Sequence, residues 1–341
     1  MKRKGNITIT DIARQVGLTH ITVSRAFNQP DKVKPETRER ILQAARQLGY
    51  VPNAFASQLR SSQSRLIGVV AASIDNPFYS EAIKAISRDA KRQGYDILLM
   101  DTDGSAEVEA SAIATLLSYQ VAGIILSPVS DAIDYRPVYI DSLRDTGLPV
   151  VMLDRVLPVE DFSRVVLDNP TSGRLIGSAM LDLDIQRALV VTGPFNSRIT
   201  QQRLDGIQQA YRQAGRPLSL DPREGDYTAE PAYRAVAEHL ANHGLPEALI
   251  GLNQLMTLGA LSALHNAGWS YRDTKVLGID TLPYSEIFDI EITTTATDPS
   301  LAGRRAMELL FAAIEDPQAP VREDVIASHI RPARAGGLLH R

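Results

Sequence analysis

From residue 65 onward, the sequence alternates short apolar runs with amphipathic stretches of helical period. The apolar runs are continuous and rich in Val, Ile and Leu, as is typical of parallel strands buried on both faces of a sheet. Seven candidate strands stand out, at residues 66–72, 96–101, 123–127, 149–154, 188–193, 248–252 and 275–279. Helical stretches such as 80–94 and 203–215 separate them, so the sequence predicts an α/β body of doubly wound parallel sheets.

Composition narrows the class of protein. The 341 residues suggest two or three structural units and include no cysteine, which excludes disulfides, thiolate catalysis and cysteine-bound zinc. No apolar run approaches the roughly 18 residues of a membrane span, and none follows the basic N-terminus as a secretory signal requires. We therefore expect a cytoplasmic protein that does not contact membranes. The first 60 residues hold eleven Lys and Arg against four Asp and Glu, whereas the rest is acidic. This asymmetry indicates either a polyanionic partner at one end or a solubility pattern.

The first 50 residues predict three short helices. Thr8 and Asp11 form a capping-box pattern at the start of the first helix, and Gly17 ends it. After a tight turn, Thr19 caps a second helix over residues 20–27, and a third runs between Pro35 and Gly49. Two helices joined by so short a turn are typical of a helix-turn-helix. The outer face of the second helix presents side chains suited to base edges, namely His20, Ile21, Thr22 and Arg25.

The residues of this N-terminal segment carry a family resemblance. The matching elements are Asp11-Ile12-Ala13, Val16-Gly17, Thr22-Val23-Ser24-Arg25, Asn28, Val33, Thr37-Arg38, Gly49-Tyr50-x-Pro52-Asn53 and Ala56-x-x-Leu59. Together they resemble the lactose/galactose repressor (LacI/GalR) family of bacterial transcription regulators, without a gap over about sixty residues. The resemblance continues through the body. Within the family, the sequence most resembles the fructose/sucrose and gluconate repressor branches.

The resemblance implies roles in DNA binding. His20 and Ile21 would select the operator sequence, and Arg25 would read bases, since a guanidinium can bond guanine O6 and N7 together. Other polar residues would bond phosphates and set the register: Thr8, Thr19, Thr22, Ser24 and Asn28. The implied partner is pseudo-palindromic double-stranded operator DNA. The resemblance implies a homodimer, and we do not expect a tetramer because the C-terminus lacks the Leu heptads of a tetramerising tail.

The segment after the head resembles the family's hinge helix. Its DNA-binding candidates are Asn53, Ala56, Leu59 and Arg60. At about two turns, such a helix is marginal by itself, and in the family it folds on the operator. Leu59 would then wedge between base steps in the minor groove, whereas Phe55 departs from the smaller residue expected there. We therefore predict a DNA-binding domain at residues 1–52 and a hinge at 53–64.

The resemblance also implies an effector-binding body, residues 65–341, like a periplasmic sugar-binding protein. Its first lobe would comprise 65–161 and 293–323, and its second lobe 162–292 and 324–341. Effector candidates are polar or aromatic residues that follow strand ends, namely Ser73, Asp75, Asn76, Phe78, Asp154, Arg155, Arg203, Tyr227, Asn253 and Asp280. Arg203 is placed at the start of a helix. Two arginines in one pocket favour an anionic effector such as a sugar acid or sugar phosphate.

Two departures from the family pattern and several absences bear on function. Asn253-Gln254 stands where the family usually has Asn-Asp, and residues 184–187 replace a frequent Gly-His pair. No catalytic residue, metal ligand set or cofactor-binding motif is found, so we do not expect an enzyme. The family resemblance implies a repressor of carbohydrate-metabolism genes. His239 and His243 are interpreted as a solvated helix face. The alternative is a cytoplasmic sugar-binding protein without operator control; a change in operator affinity with ligand distinguishes the two.

Overall fold

The computed structural model describes residues 7–50 and 64–333, and the chain divides into two compact units, residues 1–65 and 66–341. The first unit, here called the head, contains α1 (Ile9–Val16), α2 (His20–Asn28), a short 3-10 helix (Pro30–Lys32) and α3 (Pro35–Leu48). Three helices and the predicted turn between the first two are therefore confirmed. The predicted hinge, with Asn53, Phe55, Ala56, Leu59 and Arg60, lies outside the described residues.

Local sequence signals set the ends of the head helices. The Thr8 hydroxyl accepts a hydrogen bond from the Asp11 amide, and the Asp11 side chain accepts one from the Thr8 amide at 2.9 Å, which completes the capping box. Gly17 ends α1 in the left-handed conformation at φ 67°, where a residue with a Cβ would be strained. The helices pack around a small core whose fully buried members are Ile12, Val23, Ala26 and Ile41.

The second unit, here called the body, is built on two six-stranded sheets. The first sheet has the order β11-β5-β4-β3-β1-β2, with β1 (Leu66–Ala71), β2 (Asp96–Asp101), β3 (Gly123–Leu126), β4 (Val150–Leu153), β5 (Ser163–Leu167) and β11 (Glu323–Ile326). The second has the order β12-β10-β9-β8-β6-β7, with β6 (Arg187–Thr192), β7 (Ser219–Glu224), β8 (Ala248–Gly251), β9 (Lys275–Gly278), β10 (Thr293–Ala296) and β12 (His329–Arg331). All pairings are parallel except that of β12 with β10. The predicted α/β class of two doubly wound lobes is confirmed.

In the described part of the body, eight helices cover these sheets. They are α4 (Pro77–Arg92), α5 (Ala106–Ser118), α6 (Ile140–Thr146), α7 (Asn169–Asp182), α8 (Arg198–Gln213), α9 (Ala229–His243), α10 (Gln254–Asn266) and α11 (Pro299–Glu315). Helices α4, α5, α6 and α11 pack on the first sheet, and α7 to α10 belong with the second. We call these assemblies the first and second lobes. Within the described ranges, no helix is long and apolar enough to cross a membrane.

The strands correct the predicted lobe boundaries. β5 lies in the first sheet, so the chain leaves the first lobe after Leu167 and not near residue 161. β10 still belongs to the second sheet, and β11 to the first, which moves the other two crossings past residues 296 and 326. Of the twelve strands within residues 64–333, five are absent from the sequence prediction: β5, β7, β10, β11 and β12. Among them β7 is a polar edge strand that contains Pro222, and β12 is exposed along its length, so neither carries the apolar signal of a buried strand.

Candidate functional site

The outer face of α2 in the head is solvent-exposed, as the sequence predicts. Ile21 is 58% exposed, which is unusual for a large aliphatic side chain in a small helical unit. His20 and Arg25 are also exposed, and Thr22 and Ser24 are half-buried beside them. Asn28 ends α2, and its side chain lies outside the described residues. One short helix thus presents a cation, an imidazole and an apolar group to solvent.

The hydroxyls predicted to contact phosphate already have structural roles. Thr8 Oγ1 donates to Asp11 Oδ2 at 2.7 Å, and Thr19 Oγ1 accepts from the Thr22 amide at 3.2 Å. Both threonines therefore cap helices at the N-terminal ends of α1 and α2. Capping holds each hydroxyl in place beside the positive end of a helix dipole, a position that suits a phosphate oxygen.

A second candidate site lies in the body, in the cleft between the two lobes at the carboxyl ends of the strands. Eight of the ten predicted effector residues line one cavity there: Asn76, Phe78, Asp154, Arg155, Arg203, Tyr227, Asn253 and Asp280. Ser73 and Asp75, in the loop between β1 and α4, do not line it, and Asp75 is exposed. Tyr79, Leu167 and Ile199 complete the lining and were not predicted.

The two carboxylates of the cavity occupy equivalent places in the two lobes. Asp154 follows β4 at φ 67°, and Asp280 follows β9 at φ 68°, so both adopt the left-handed conformation. Aspartate tolerates this region better than most residues, yet it remains sparsely populated and is enriched at functional sites. The turn in each lobe thus points a carboxylate from the end of a buried strand into the cleft.

Burial shifts the protonation of both carboxylates. Withdrawal from water raises the pKa of Asp154, although Arg155 and a hydrogen bond from the Tyr79 hydroxyl at 2.8 Å oppose the shift. Burial likewise raises the pKa of Asp280, against the attraction of Arg203. Tyr79 is itself buried, and desolvation together with Asp154 raises the pKa of its hydroxyl, so it remains a donor. The carboxyl oxygens of Asp154 and Asp280 can accept hydrogen bonds from ligand hydroxyls.

Arg203 is the central cation of the second lobe. It is only 4% exposed; its Nε donates to Asn169 Oδ1 at 2.8 Å, and Nη1 donates to the Leu252 carbonyl. The prediction that Arg203 opens a helix is wrong, because Ser197 caps α8 and the helix begins at Arg198. Arg203 therefore reaches the cavity from the second turn of α8, where the backbone of Arg203 and Gly206 packs closely against Gly173 of α7.

Asn253 and Tyr227 form the other wall of the second lobe. Asn253 Oδ1 caps α10 by accepting from the Met256 amide at 2.7 Å, and Nδ2 donates to the Tyr227 carbonyl at 2.9 Å. The Tyr227 hydroxyl bonds Thr200 Oγ1 at 2.9 Å, which fixes the ring. A fixed aromatic ring beside carboxylate and amide groups is the arrangement that a polar ring-shaped ligand needs.

Arg155 reaches from the first lobe toward the second. Its Nη1 donates to the Val129 carbonyl at 2.6 Å, and its guanidinium lies 5.0 Å from the centroid of the Tyr227 ring, a cation–π distance. Burial alone would lower the pKa of Arg155, but Tyr79, Asp154 and Tyr227 together raise it, so the side chain stays charged. The free space left in the cavity is about 30 Å³. Ligand pockets are usually at least ten times larger, so a sugar-sized ligand requires the lobes or these side chains to move.

Two further interpretations bear on metal binding. In the described part of the chain, no three His, Cys, Asp or Glu side chains converge as metal ligands. The solvated-face interpretation is wrong for His239, whose side chain is only 12% exposed and whose Nδ1 lies 3.2 Å from Asp221 Oδ2. Both histidines belong to α9: burial lowers the pKa of His239, whereas His243 at the end of the helix is exposed.

Comparisons with known proteins agree with this geometry. A family model described as periplasmic binding proteins and sugar binding domain of LacI family matches residues 64–334, and one described as bacterial regulatory proteins, lacI family, matches residues 8–53. The HTH-type transcriptional repressor CytR of Escherichia coli strain K12 is 30% identical over 314 residues, covering 91% of this chain and 90% of that repressor. The HTH-type transcriptional repressor PurR of Pasteurella multocida strain Pm70 is 28% identical over 313 residues, covering 91% and 92%.

Solved structures extend the likeness to the arrangement of the fold. The lac repressor dimer bound to operator and the anti-inducer ONPF matches with a TM-score of 0.77 and 25% identity, covering 96% of this chain and 98% of that one. The body match alone spans most of the sequence, and the head match covers the helix-turn-helix. The chain therefore belongs to the LacI family of bacterial regulatory proteins.

Proposed function

We propose that this protein is a sequence-specific transcriptional repressor whose operator affinity is controlled by a small ligand bound between the lobes of its body. The observation that carries the proposal is the presence of two separate polar sites in one chain. The head exposes His20, Ile21 and Arg25 on one helix, whereas the body encloses a cleft with both charge signs and a fixed aromatic ring.

The mode of DNA binding follows from the geometry of a helix-turn-helix. A dimer places one α2 in the major groove of each half-site, so the operator is a pseudo-palindrome. Arg25 reads a guanine and Ile21 contacts a thymine methyl, while Thr8 and Thr19 position the head on phosphates. The hinge residues Asn53, Ala56, Leu59 and Arg60 bind the central minor groove, with Leu59 as the wedge.

The effector is proposed to be an anionic sugar-like molecule, such as a sugar acid or a sugar phosphate. Arg155 and Arg203 approach the cavity from opposite lobes, and a guanidinium fork suits phosphate or carboxylate. Asp154, Asp280 and Asn253 would accept from or donate to its hydroxyls, and Tyr227 would pack on its ring. Such a ligand changes operator affinity only by its difference in affinity for the DNA-bound and released states.

Fluorescence anisotropy on the promoter DNA of the protein's own gene tests this proposal. The titration is run at fixed salt with and without a panel of neutral sugars, sugar acids and sugar phosphates. Tight binding that one anionic compound changes supports the proposal in full. Specific binding that only a neutral sugar changes overturns the effector class, and weak, salt-sensitive binding to every DNA sequence overturns the repressor itself.

An arginine variant tests the effector class separately. Arg155→Ala is expected to lose most of the affinity for the anionic compound, because its guanidinium lines the cavity. Arg136→Ala is the matched control, since Arg136 is exposed and its Nη1 donates only to backbone carbonyls of its own loop. Unchanged ligand affinity in Arg155→Ala would remove the anion-binding role.

A further inference from the structure

The loop between β3 and α6 makes a charged contact across the cleft. Asp131 belongs to this loop of the first lobe and is only 3% exposed. Its Oδ2 accepts a hydrogen bond of 2.8 Å from the Ile199 amide, in the first turn of α8 in the second lobe. Amides in the first turn of a helix have no partner within the helix, and the helix dipole favours an anion there.

The loop that carries Asp131 is anchored from two sides. The Val129 amide donates to Glu109 Oε2 at 2.6 Å, and the Val129 carbonyl accepts from Arg155 at 2.6 Å. Glu109 is fully buried, and its other oxygen accepts from the hydroxyls of Tyr135 at 2.9 Å and Tyr139 at 2.7 Å. A buried carboxylate that accepts three such bonds is costly to move, so it fixes the backbone two residues before Asp131.

We propose that Asp131 is a positioning residue that clasps the second lobe to the first, with Glu109 and Arg155 as the anchors of its loop. The clasp stabilises the closed cleft through a charge-assisted hydrogen bond, about twice as strong as a neutral one. The neutral bond from Gln254 Nε2 to Asn76 Oδ1, 3.0 Å long, also joins the two lobes and serves as the weaker comparison.

The clasp also gives the cleft a regulatory connection, and this step rests on the proposed function. Arg155 lines the effector cavity and simultaneously holds the Val129 carbonyl. A ligand group that draws the guanidinium toward itself weakens the anchor of the loop. The position of Asp131, and with it the closure of the lobes, then depends on the effector.

The clasp itself is tested without DNA and without an effector. The chain contains no cysteine, so Asp145→Cys and Glu238→Cys, at exposed helix positions of the two lobes, give two unique sites for spin labels. The distance distribution between the labels is measured in full-length protein diluted with unlabelled chain. Hydrogen-exchange mass spectrometry of the peptide containing Ile199 reports the amide that Asp131 binds.

Asp131→Ala is expected to lengthen and broaden the distance distribution and to speed exchange of the Ile199 amide by about tenfold or more. Asp131→Asn keeps an acceptor without the charge and should give a smaller change in both; it also carries the test if the alanine variant does not fold. Asp134→Ala, at an exposed position of the same loop, is the matched control and should behave as the parent does.

An unchanged distance distribution and unchanged exchange in both Asp131 variants would overturn the clasp, as would equal opening in Asp134→Ala. Opening that is limited to the Asp131 variants supports it. Because these readouts involve no promoter DNA, opened lobes combined with sequence-independent DNA binding would leave the clasp standing and remove only the proposed function.

Discussion

The head and the cleft are two polar sites built in opposite ways. In the head, His20, Ile21 and Arg25 stand exposed on one short helix, held by a small core beneath them. In the cleft, Arg203 and Asn253 are at least 96% buried, and their polar atoms bond the backbone and side chains of other elements.

Because of this difference, substitutions in the head and in the cleft should affect binding and folding stability differently. An exposed side chain of the head makes few contacts in the free protein, so its removal costs little folding stability. Its loss is therefore expected to lower only the affinity for DNA. A buried charge that belongs to a network leaves unpaired groups when it is removed, so its loss is measured in the fold as well as in binding.

Arg203→Ala is expected to have the largest effect, because it removes the cation between buried carboxylates and leaves Asn169 and the Leu252 carbonyl without a donor. Breaking a buried ion network in this way costs about 3–5 kcal/mol of unfolding free energy. Chemical denaturation followed by circular dichroism measures it. Arg212→Ala, at an exposed position of the same helix, is the control and should stay within about 0.5 kcal/mol of the parent. A small loss of unfolding free energy in Arg203→Ala would contradict the view that the buried residues of the cleft stabilise the fold.

Arg25→Ala is expected to cost about 1–3 kcal/mol of operator affinity and to relax the preference for one base pair. The unfolding free energy should stay within about 0.5 kcal/mol, since the side chain is exposed. Anisotropy on the promoter fragment and on single-base-pair variants of it gives the affinities. Equal loss on every variant would show that Arg25 contacts phosphate and not a base.

Thr8→Ala combines both kinds of effect within the head. Loss of the capping box should lower the stability of the head by about 1 kcal/mol. If Thr8 also bonds a phosphate, affinity falls equally for specific and shuffled DNA. Thermal unfolding and anisotropy on the two DNAs check the two effects. A change in base preference would contradict the assigned role.

Asp280→Asn is expected to have the smallest effect, a change in thermal stability that depends on pH. Burial raises the pKa of Asp280 in the folded protein, so the folded state holds its proton more tightly than the unfolded state does. Its contribution to stability is therefore present below the ordinary pKa of 3.8 and is lost as pH rises through the raised value. At pH 7 the variant should melt about 1–3 °C higher than the parent, since roughly 1 kcal/mol corresponds to 2–4 °C in domains of this size.

That advantage should disappear in acid, where aspartate is protonated in both states. Thermal melts across the pH range measure it. A variant that is less stable than the parent at pH 7 would show that attraction to Arg203 outweighs the cost of burying the Asp280 carboxylate.

The same contrast explains what could be predicted from the sequence. The head is set by neighbours in the chain: Thr8 with Asp11, Gly17 at a helix end, and exposed residues on one helix face. The cleft depends on contacts between distant residues. Tyr79 and Ile199 carry no local signal of their roles, and Arg203 was placed at a helix start because Ser197 was not recognised as the cap.

Asp131, by contrast, carries a signal in the sequence. It lies past the carboxyl end of the predicted strand at 123–127, the same rule that selected Asp154 and Asp280. The edge strands β7 and β12 could not be found in this way, because neither has a buried residue and so neither has an apolar run in the sequence.

The most direct test of the account is the ratio of affinities for the protein's own promoter fragment and for a shuffled fragment of equal length, measured at one salt concentration. A sequence-reading head predicts binding to the promoter at least about 10³-fold tighter than to the shuffled DNA. Equal affinities, falling together as salt is raised, would mean that the basic head binds only the phosphate backbone and would contradict the central claim.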